Sequence, residues 1–376
     1  MRLCVVSLKQ CWQDPRGRWW SYGGFPAQMD ALRTLCDEMT IVIVESHARP
    51  GGMPLPADAR VVPLRSPRGA DLTRKLWVAA RAPYYLRRIA AEVRGADLVH
   101  TPLPGDVSFL GLIVSLLVRR RVFALYNGSW EPNAQTTMMN RVTRQAMRAL
   151  AGGRNPMLAV GDGPVPPAPG IRWVFATSLT DAEIRANDPE LDRGLSTPPR
   201  MICAGRLSVE KGIPVLLRAM AALRDEGFAP LPTLVLAGDG PDREPLEALA
   251  RELRCSALVR FAGQLDREGL NRELAQADVC VHPSHTEGYC KAWLDAMAQA
   301  LPVLATEVGA ARGVVGGAGE RGWLVPPGDP AALAAAIRRV LTEPHDWPAL
   351  RRRCREFAAS RTLEAWAEQI RSACAT

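Results

Sequence analysis

Two acids frame the segment HPSHTEGYCKAWLDA, residues 282–296: Glu287 stands just before Gly288, and Asp295 follows eight positions later in an apolar run. A helix beginning at Gly288 or Tyr289 would offer unsatisfied backbone N–H groups and the positive end of its dipole to an anion, with Glu287 at the lip. At about 1.5 Å of rise per residue, the two acids would stand ~12 Å apart along that helix. That span is comparable to a diphosphate with a polyol at either end. Ionised carboxylates only accept hydrogen bonds, so each suits a pair of hydroxyls. The plainer reading is that Glu287 merely complements the dipole and Asp295 is a surface acid. A second feature favours the anion. In AGRLSVEKG, 204–212, Arg206 and Lys211 lie five residues apart in a strand-to-helix loop, where both can turn toward one cleft and stabilise the charge that develops on a departing diphosphate. Taken alone, the two would be solvated loop charges.

The elements that must position these groups follow a regular rhythm. Short β-branched runs alternate with longer helical patterns, the mark of βαβ units on parallel sheets. In the first half, strands are expected near 2–8, 41–45, 60–64, 97–101, 122–127 and 172–177, with helices near 24–38, 72–93, 106–120 and 135–151. The rhythm restarts with strands at 200–205, 232–237, 257–262, 277–282, 302–305 and 322–325. Helices are expected near 212–226, 241–253, 266–275, 288–299, 329–342, 347–357 and 361–374. The pattern predicts an α/β chain of two doubly wound, Rossmann-like domains facing across a cleft, because open α/β sheets bind ligands beyond the carboxyl ends of their strands. The seam is placed at DRGLSTPP, 192–199, where turn residues break the pattern. This gives domains at 1–195 and 196–358, and a final helix within 359–376 that could pack back on the first.

Other patterns carry less. LVLAGDGPDREPL, 234–246, imitates a dinucleotide fingerprint, but Arg243 takes the third glycine position and no ribose-binding acid follows at the usual distance, so it reads as a tight turn. Gly23 and Gly24 precede a helix, where they would let a ligand approach the backbone or simply form a turn. Cys280, His282, His285, Glu287 and Cys290 crowd into eleven residues yet match no zinc spacing, so no metal is expected. Neither a Walker sequence nor a Gly-x-Ser-x-Gly elbow occurs.

With 376 residues and a net charge of +8, the chain is large enough for two or three cores, and its surface suits an anionic partner or is simply rich in solvated arginine. Nine scattered cysteines without a Cys-x-x-Cys pair point to a reducing cytoplasm. The N-terminal apolar run is too short for a secretory signal, and 107–118 is too short to cross a bilayer. The stretch 73–94 sets Arg74, Lys75, Arg81, Arg87 and Arg88 among Trp77, Tyr84 and Tyr85. It suits a helix lying on an anionic membrane or, alternatively, aromatics in the core with arginines in solvent.

Taken in order, AGRLSVEKG, LVLAGDGP, RFAGQL, ADVCVHPSHTEGYCKAWLDAMAQALPVLATEVG and GWLVPPGDPAALAAAI resemble the C-terminal domain of the retaining GT-B glycosyltransferases of family 4, over about 200–340. Residues 1–130 are more loosely similar to the N-terminal domain, through the first strand, the Gly23-Gly24 loop, the DLVH strand and the strand ending at Asn127. The resemblance implies transfer of a sugar from a UDP- or GDP-sugar to a hydroxyl of a glycan, lipid-linked or small-molecule acceptor, by a front-face route that retains configuration. It implies Arg206 and Lys211 as the diphosphate-binding pair and Glu287 and Asp295 as the acids of the Glu-x7-Glu motif. Gly23, Gly24, Gly288, Tyr289 and Cys290 would meet the donor, and Asn127 the sugar or acceptor. No metal cofactor and no nucleic-acid partner are implied, and the enzyme would be cytoplasmic, with peripheral membrane contact open.

Three positions depart from the family pattern. Asp295 is one methylene shorter than the usual glutamate. Asn127 stands where many members carry histidine, so it can bond a hydroxyl but cannot act as a general base. Gly313 falls where an acid is usual. These changes leave a second reading open, a degenerate relative that binds a nucleotide or anionic glycan without catalysis.

Overall fold

Nearly every β-branched run finds a parallel neighbour, and the chain separates into two units, Met1–Ser178 with Leu363–Thr376, and Leu179–Thr362. The computed structural model describes residues 1–48, 52–69, 71–133 and 136–375, with the backbone alone at 71, 72 and 75. The Lys75 side chain and residue 135, both named above, therefore lie outside the described residues.

In the second unit six parallel strands lie side by side in the order Val259–Gly263, Thr233–Ala237, Arg200–Ala204, Val279–His282, Val303–Thr306 and Gly322–Val325. Their side chains are apolar on both faces, because both faces are covered. On one side Leu216, Leu217 and Met220 of helix Ile213–Asp225 pack with Leu234, Leu236 and Ile337. On the other, Trp293, Leu294 and Met297 of helix Lys291–Ala298 pack with Ile202, Cys280 and Val303. Burying each such side chain contributes about 1.5–3 kcal/mol. Since the strands run parallel, the loops that follow Arg200–Ala204, Thr233–Ala237, Val279–His282 and Val303–Thr306 all leave from one edge of the sheet.

The first unit holds a nine-stranded sheet among the described residues. Strand Arg2–Gln13 runs parallel to Glu38–Glu45 and Leu98–Leu103. It extends past the expected residue 8 because a bulge between Ser7 and Gln10 bends it into an antiparallel pairing with Trp19–Tyr22,. The helix expected over 72–93 is two, Asp71–Ala80 and Ala82–Val93. Pro83, which has no N–H and clashes with the preceding turn, sits where the second begins. Helix Asp106–Leu117 buries Val107, Gly111, Leu112 and Val114 in the core. Among the described residues no helix is long and apolar enough to cross a membrane.

The domain boundary differs from the one read from the prolines at 198–199. Residues 179–195 are part of the second unit. Helix Asp181–Ala186 starts with a capping box between Thr180 and Glu183, and Arg355 donates to the carbonyls of Ile184 and Asn187. The stretch taken for a linker is pinned by the fully buried Asp278, which accepts from Arg193 Nη1 at 2.9 Å, from the Ser196 backbone at 3.2 Å and from the Arg200 backbone at 2.8 Å. A single carboxylate thus satisfies the donors of a polar segment that sequence composition marks as loose. The closing helix Leu363–Ala375 lies in the first unit, where Gln369 Nε2 donates to the Trp173 carbonyl at 3.2 Å.

Asp278→Ala leaves Arg193 and the two backbone donors without their acceptor, a loss of ~3 kcal/mol for a buried pair broken on one side. For a unit of this size the expected fall in its melting temperature is about 6–12 °C. A melting curve superimposable on the parent's would show that 192–199 is a linker after all.

Candidate functional site

Four loops at the carboxyl edge of the second sheet are tied to one another through backbone atoms. Leu207 N–H donates to the Asp239 carbonyl at 3.0 Å, and Asp242 N–H returns to the Leu207 carbonyl at 3.1 Å. The glycines of the GDGP turn serve this contact: a Cβ on Gly240 would lie 2.2 Å from the Leu207 oxygen, and one on Gly238 only 1.9 Å from that of Gly205. The motif that imitates a dinucleotide fingerprint therefore holds a neighbouring loop. His285 N–H donates to the Glu210 carbonyl at 2.8 Å. Beneath them, burial pulls the His282 pKa down to about 4, so the ring is neutral. Because a carbonyl only accepts, Nε2 carries the proton donated to Ala204 O at 2.8 Å,. Cys280 and His282 are buried neighbours on this strand, their Sγ and Nδ1 3.5 Å apart.

On this frame the Lys211 ammonium meets the Glu287 carboxylate directly, with both side chains mostly buried. Glu287 Oε1 also accepts from Ser284 Oγ at 3.3 Å, and Thr306 Oγ1 holds the Ser284 carbonyl at 2.6 Å. Burial disfavours the Lys211 ammonium, but Cys290 and Glu287 favour it by more, so its pKa lies above the ordinary lysine value. The Cys290 thiol is itself pushed up by burial, which leaves Glu287 as the charge that holds the proton at neutral pH. Glu210 lies in the field of both cations. The Ser208 hydroxyl, 2.6 Å away, is the main influence holding its pKa below the usual carboxylate range, and Lys211 and Arg206 both add to it. Arg206 is exposed and makes no ion pair among the described residues.

The helix after Glu287 starts later than expected. It spans Lys291–Ala298, with Cys290 extended at φ −88°, ψ 106°. The reason lies in the next loop: Ala310 N–H donates to the Gly288 carbonyl at 3.0 Å, and Gly309, at φ +55°, passes so close that a Cβ there would sit 2.2 Å from the Glu287 oxygen. Backbone engaged by a neighbouring loop cannot turn into a helix. The ~12 Å spacing derived for a continuous helix consequently does not apply to Glu287 and Asp295. Gly288 and Tyr289 are partly exposed in this segment and Cys290 is buried.

Asp295 is buried in a helix whose residues from Trp293 to Ala298 are all buried. Arg267 Nη1 reaches its Oδ1 at 2.7 Å, while Arg267 Nε bonds Glu183 Oε1 at 2.7 Å. Burial raises the Asp295 pKa, and Arg267 opposes that rise. Sequence reasoning missed Arg267, Glu183, Ser284 and Thr306. The sequence signals the need but not the partner: an acid in an otherwise apolar helix needs a cation, and Arg267 is 28 positions away. Gly313 lies in the short helix Ala311–Val315, and its carbonyl accepts from Arg321 Nη2 at 3.0 Å.

In the first unit, Gly23 has φ +68° and Gly24 caps helix Phe25–Arg33. Asn127, exposed after strand Arg121–Tyr126, turns its Nδ2 to the Leu125 carbonyl at 3.1 Å. Among the described residues no group of three His, Cys, Asp or Glu side chains is placed to hold a metal ion.

Removing Arg267 should leave Asp295 ionised without its partner. The expected cost is ~2 kcal/mol, below the value for a fully buried pair because a third of Arg267 is in water. A carboxyl whose pKa is raised on folding favours the fold while protonated, so the penalty belongs to neutral pH and shrinks as pH falls toward the raised value. Arg267→Ala is therefore expected to melt lower at pH 7.5 and to recover part of the difference at pH 5. An equal deficit at both would assign Arg267 to packing alone.

Residues 191–361 match the family described as glycosyl transferases group 1. The chain is similar to glycogen synthase of Mycobacterium tuberculosis, with 36% identity over 148 residues, 39% of this chain and 35% of that protein. The match thus spans about a third of that relative's length. It is also similar to alpha-D-kanosaminyltransferase of Streptomyces kanamyceticus, with 28% identity over 304 residues, 76% of this chain and 75% of that one. Among solved structures it aligns with Anabaena Alr3699/HepE in complex with UDP and glucose, at a TM-score of 0.71 and 16% identity over 100% of this chain and 99% of the other, a likeness that concerns the fold. The chain has the GT-B fold, and its residues 191–361 are similar to the glycosyl transferases group 1 family.

Proposed function

We propose that the protein is a glycosyltransferase that moves a sugar from a nucleoside diphosphate sugar to a hydroxyl acceptor with retention of configuration. The observation that carries the reading is the Lys211–Glu287 pair, held on tied loops at the carboxyl edge of the second sheet with Arg206 free of ion pairs beside it. The ammonium has three donors, so Lys211 can keep Glu287 and still bond a phosphate oxygen. Arg206 presents a planar fork that suits a second oxygen. As the bond between sugar and phosphate oxygen breaks and one from the sugar to the acceptor oxygen forms, charge grows on the diphosphate, and Lys211 and Arg206 stabilise it without a metal ion. The departing oxygen takes the proton of the acceptor hydroxyl. Glu287, oriented by Ser284 and Lys211, has lone pairs left for a sugar hydroxyl.

Backbone at Gly288, Tyr289 and Cys290 would lie against the donor, and Asp295 would reach a ribose diol if Arg267 shares it. In the first unit, Gly23, Gly24 and Asn127 are the positions proposed for ligand contact. The transferase names of the relatives and the UDP and glucose in the HepE structure support the donor class. They favour catalysis over a degenerate binder.

Arg206→Ala and Lys211→Ala are each expected to lower turnover about 10²–10³-fold, the scale of removing one transition-state charge donor; the exposed Arg206 is lost with the melting temperature preserved, whereas loss of Lys211 lowers it because Glu287 is left without its partner,. Donors are found first by calorimetry against UDP and GDP and then by screening sugar nucleotides. Parent-like rates in both variants would remove the mechanism; tight nucleotide binding with neither transfer nor donor hydrolysis would favour the degenerate reading.

A further inference from the structure

The first unit contains a basic cavity that the donor chemistry does not use. It has a volume of about 640 Å³ and is lined by Glu45, Ser46, His47, Arg65, Ser66, Pro67, Arg68, Trp77 and Arg81. Its floor is the carboxyl end of two neighbouring parallel strands, Glu38–Glu45 and Arg60–Leu64, the end at which open α/β sheets take ligands. One wall comes from Trp77 in helix Asp71–Ala80 and from Arg81, which follows it.

The arginines of this region divide into two kinds. Arg74 is engaged by both oxygens of Asp106, at 3.0 and 3.4 Å, and Arg60 is paired with Glu92. Arg65, Arg68 and Arg81 line the cavity and make no ion pair among the described residues. Against these three guanidiniums stands one carboxylate, Glu45. Two of the three are held by rings: Arg65 Cζ lies 5.6 Å from the Tyr84 centroid, and Arg81 Cζ 4.8 Å from that of Trp77. The backbone of Arg65 is fixed as well, since its carbonyl accepts from Tyr85 Oη at 2.7 Å. A guanidinium laid on a ring face keeps its edge N–H groups free and loses little freedom on binding. That edge matches two oxygens of a phosphate. The cavity also exceeds what a bare phosphate fills and leaves room for a sugar- or polyol-sized body.

We propose that this cavity binds a phosphate-bearing molecule through Arg65, Arg68 and Arg81, and that this molecule is the acceptor. The second clause rests on the transferase reading above; the first does not. The phosphate belongs to a soluble monoester or to a lipid headgroup, and the two sources are separated by experiment.

Calorimetry on the full chain compares glycerol phosphate with glycerol, for the parent and for the double variant Arg65→Gln, Arg81→Gln. Glycerol phosphate is expected to bind the parent and glycerol not, with affinity at least about tenfold weaker in the double variant and UDP affinity unchanged. Arg68→Gln gives a second reading at a position without ring contacts. Sedimentation with vesicles of phosphatidic acid or phosphatidylcholine assigns the source. Retention on phosphatidic acid that glycerol phosphate displaces and the double variant abolishes identifies a headgroup, whereas arginine-dependent binding of glycerol phosphate without retention identifies a soluble monoester. The proposal is overturned if the parent binds neither probe, or if the double variant binds as the parent does. A parent that binds glycerol phosphate but no nucleoside diphosphate keeps this site and loses the transferase reading.

Discussion

The contact between Lys211 and Glu287 exists because two loops leave adjacent parallel strands from the same edge and are fastened to each other before any side chain is considered. Met201 pairs with Val279 and Ile202 with Cys280, which sets the strand ends level. The backbone bond from His285 to Glu210 and the His282 bond to Ala204 then fix the separation of the loops. Only on such a frame does a lysine keep a carboxylate without a large loss of side-chain entropy. Taking both charges out of water costs several kcal/mol, and their attraction offsets that cost only with good geometry and further hydrogen bonds. Ser284 supplies one of these bonds, and Thr306 supports Ser284. An arriving diphosphate would add negative charge to a cation already held in place, so little reorganisation is needed on binding.

The two acids of the Glu-x7-Glu-like segment have different fates, and their surroundings explain why. Glu287 lies outside the helix, in a loop with polar neighbours. Asp295 lies in a helix buried from Trp293 to Ala298, the others of that run being apolar, where an isolated carboxylate is costly. Arg267 answers that cost and is itself balanced by Glu183. The shorter aspartate therefore sits in a small charge chain that joins three helices of the unit.

Much of the second unit was legible. Its strands are short apolar runs, its turns carry glycines, and the elements fell within a few residues of their expected ends. The loops bearing Arg206, Lys211 and Glu287 were legible as well, because chemistry-bearing types cluster there. What could not be read was contact over distance. Arg267 is 28 positions from Asp295 and 84 from Glu183, and nothing local announces the pairing. The late helix start at Lys291 was hidden for the same reason, since its cause is Gly309 and Ala310 in another loop. In the first unit, strand Trp19–Tyr22 was missed because the turn before it, DPRGR, hides a hairpin, and Met157–Val160 because it adjoins a run of prolines. The boundary failed because composition marks 192–199 as a linker while a buried aspartate from far along the chain organises it.

The placement of the closing helix has a consequence for synthesis. Residues 363–375 contribute the buried Trp366 and Ile370 to the first unit and lie against helix Phe25–Arg33 and strand Ile171–Val174. A ribosome releases the first 178 residues long before it makes that helix. The first unit thus waits, lacking one wall of its core, while the second, contiguous over Leu179–Thr362, has all its parts already. The half translated first is the half completed last, and its exposed apolar face is what a nascent-chain chaperone would meet.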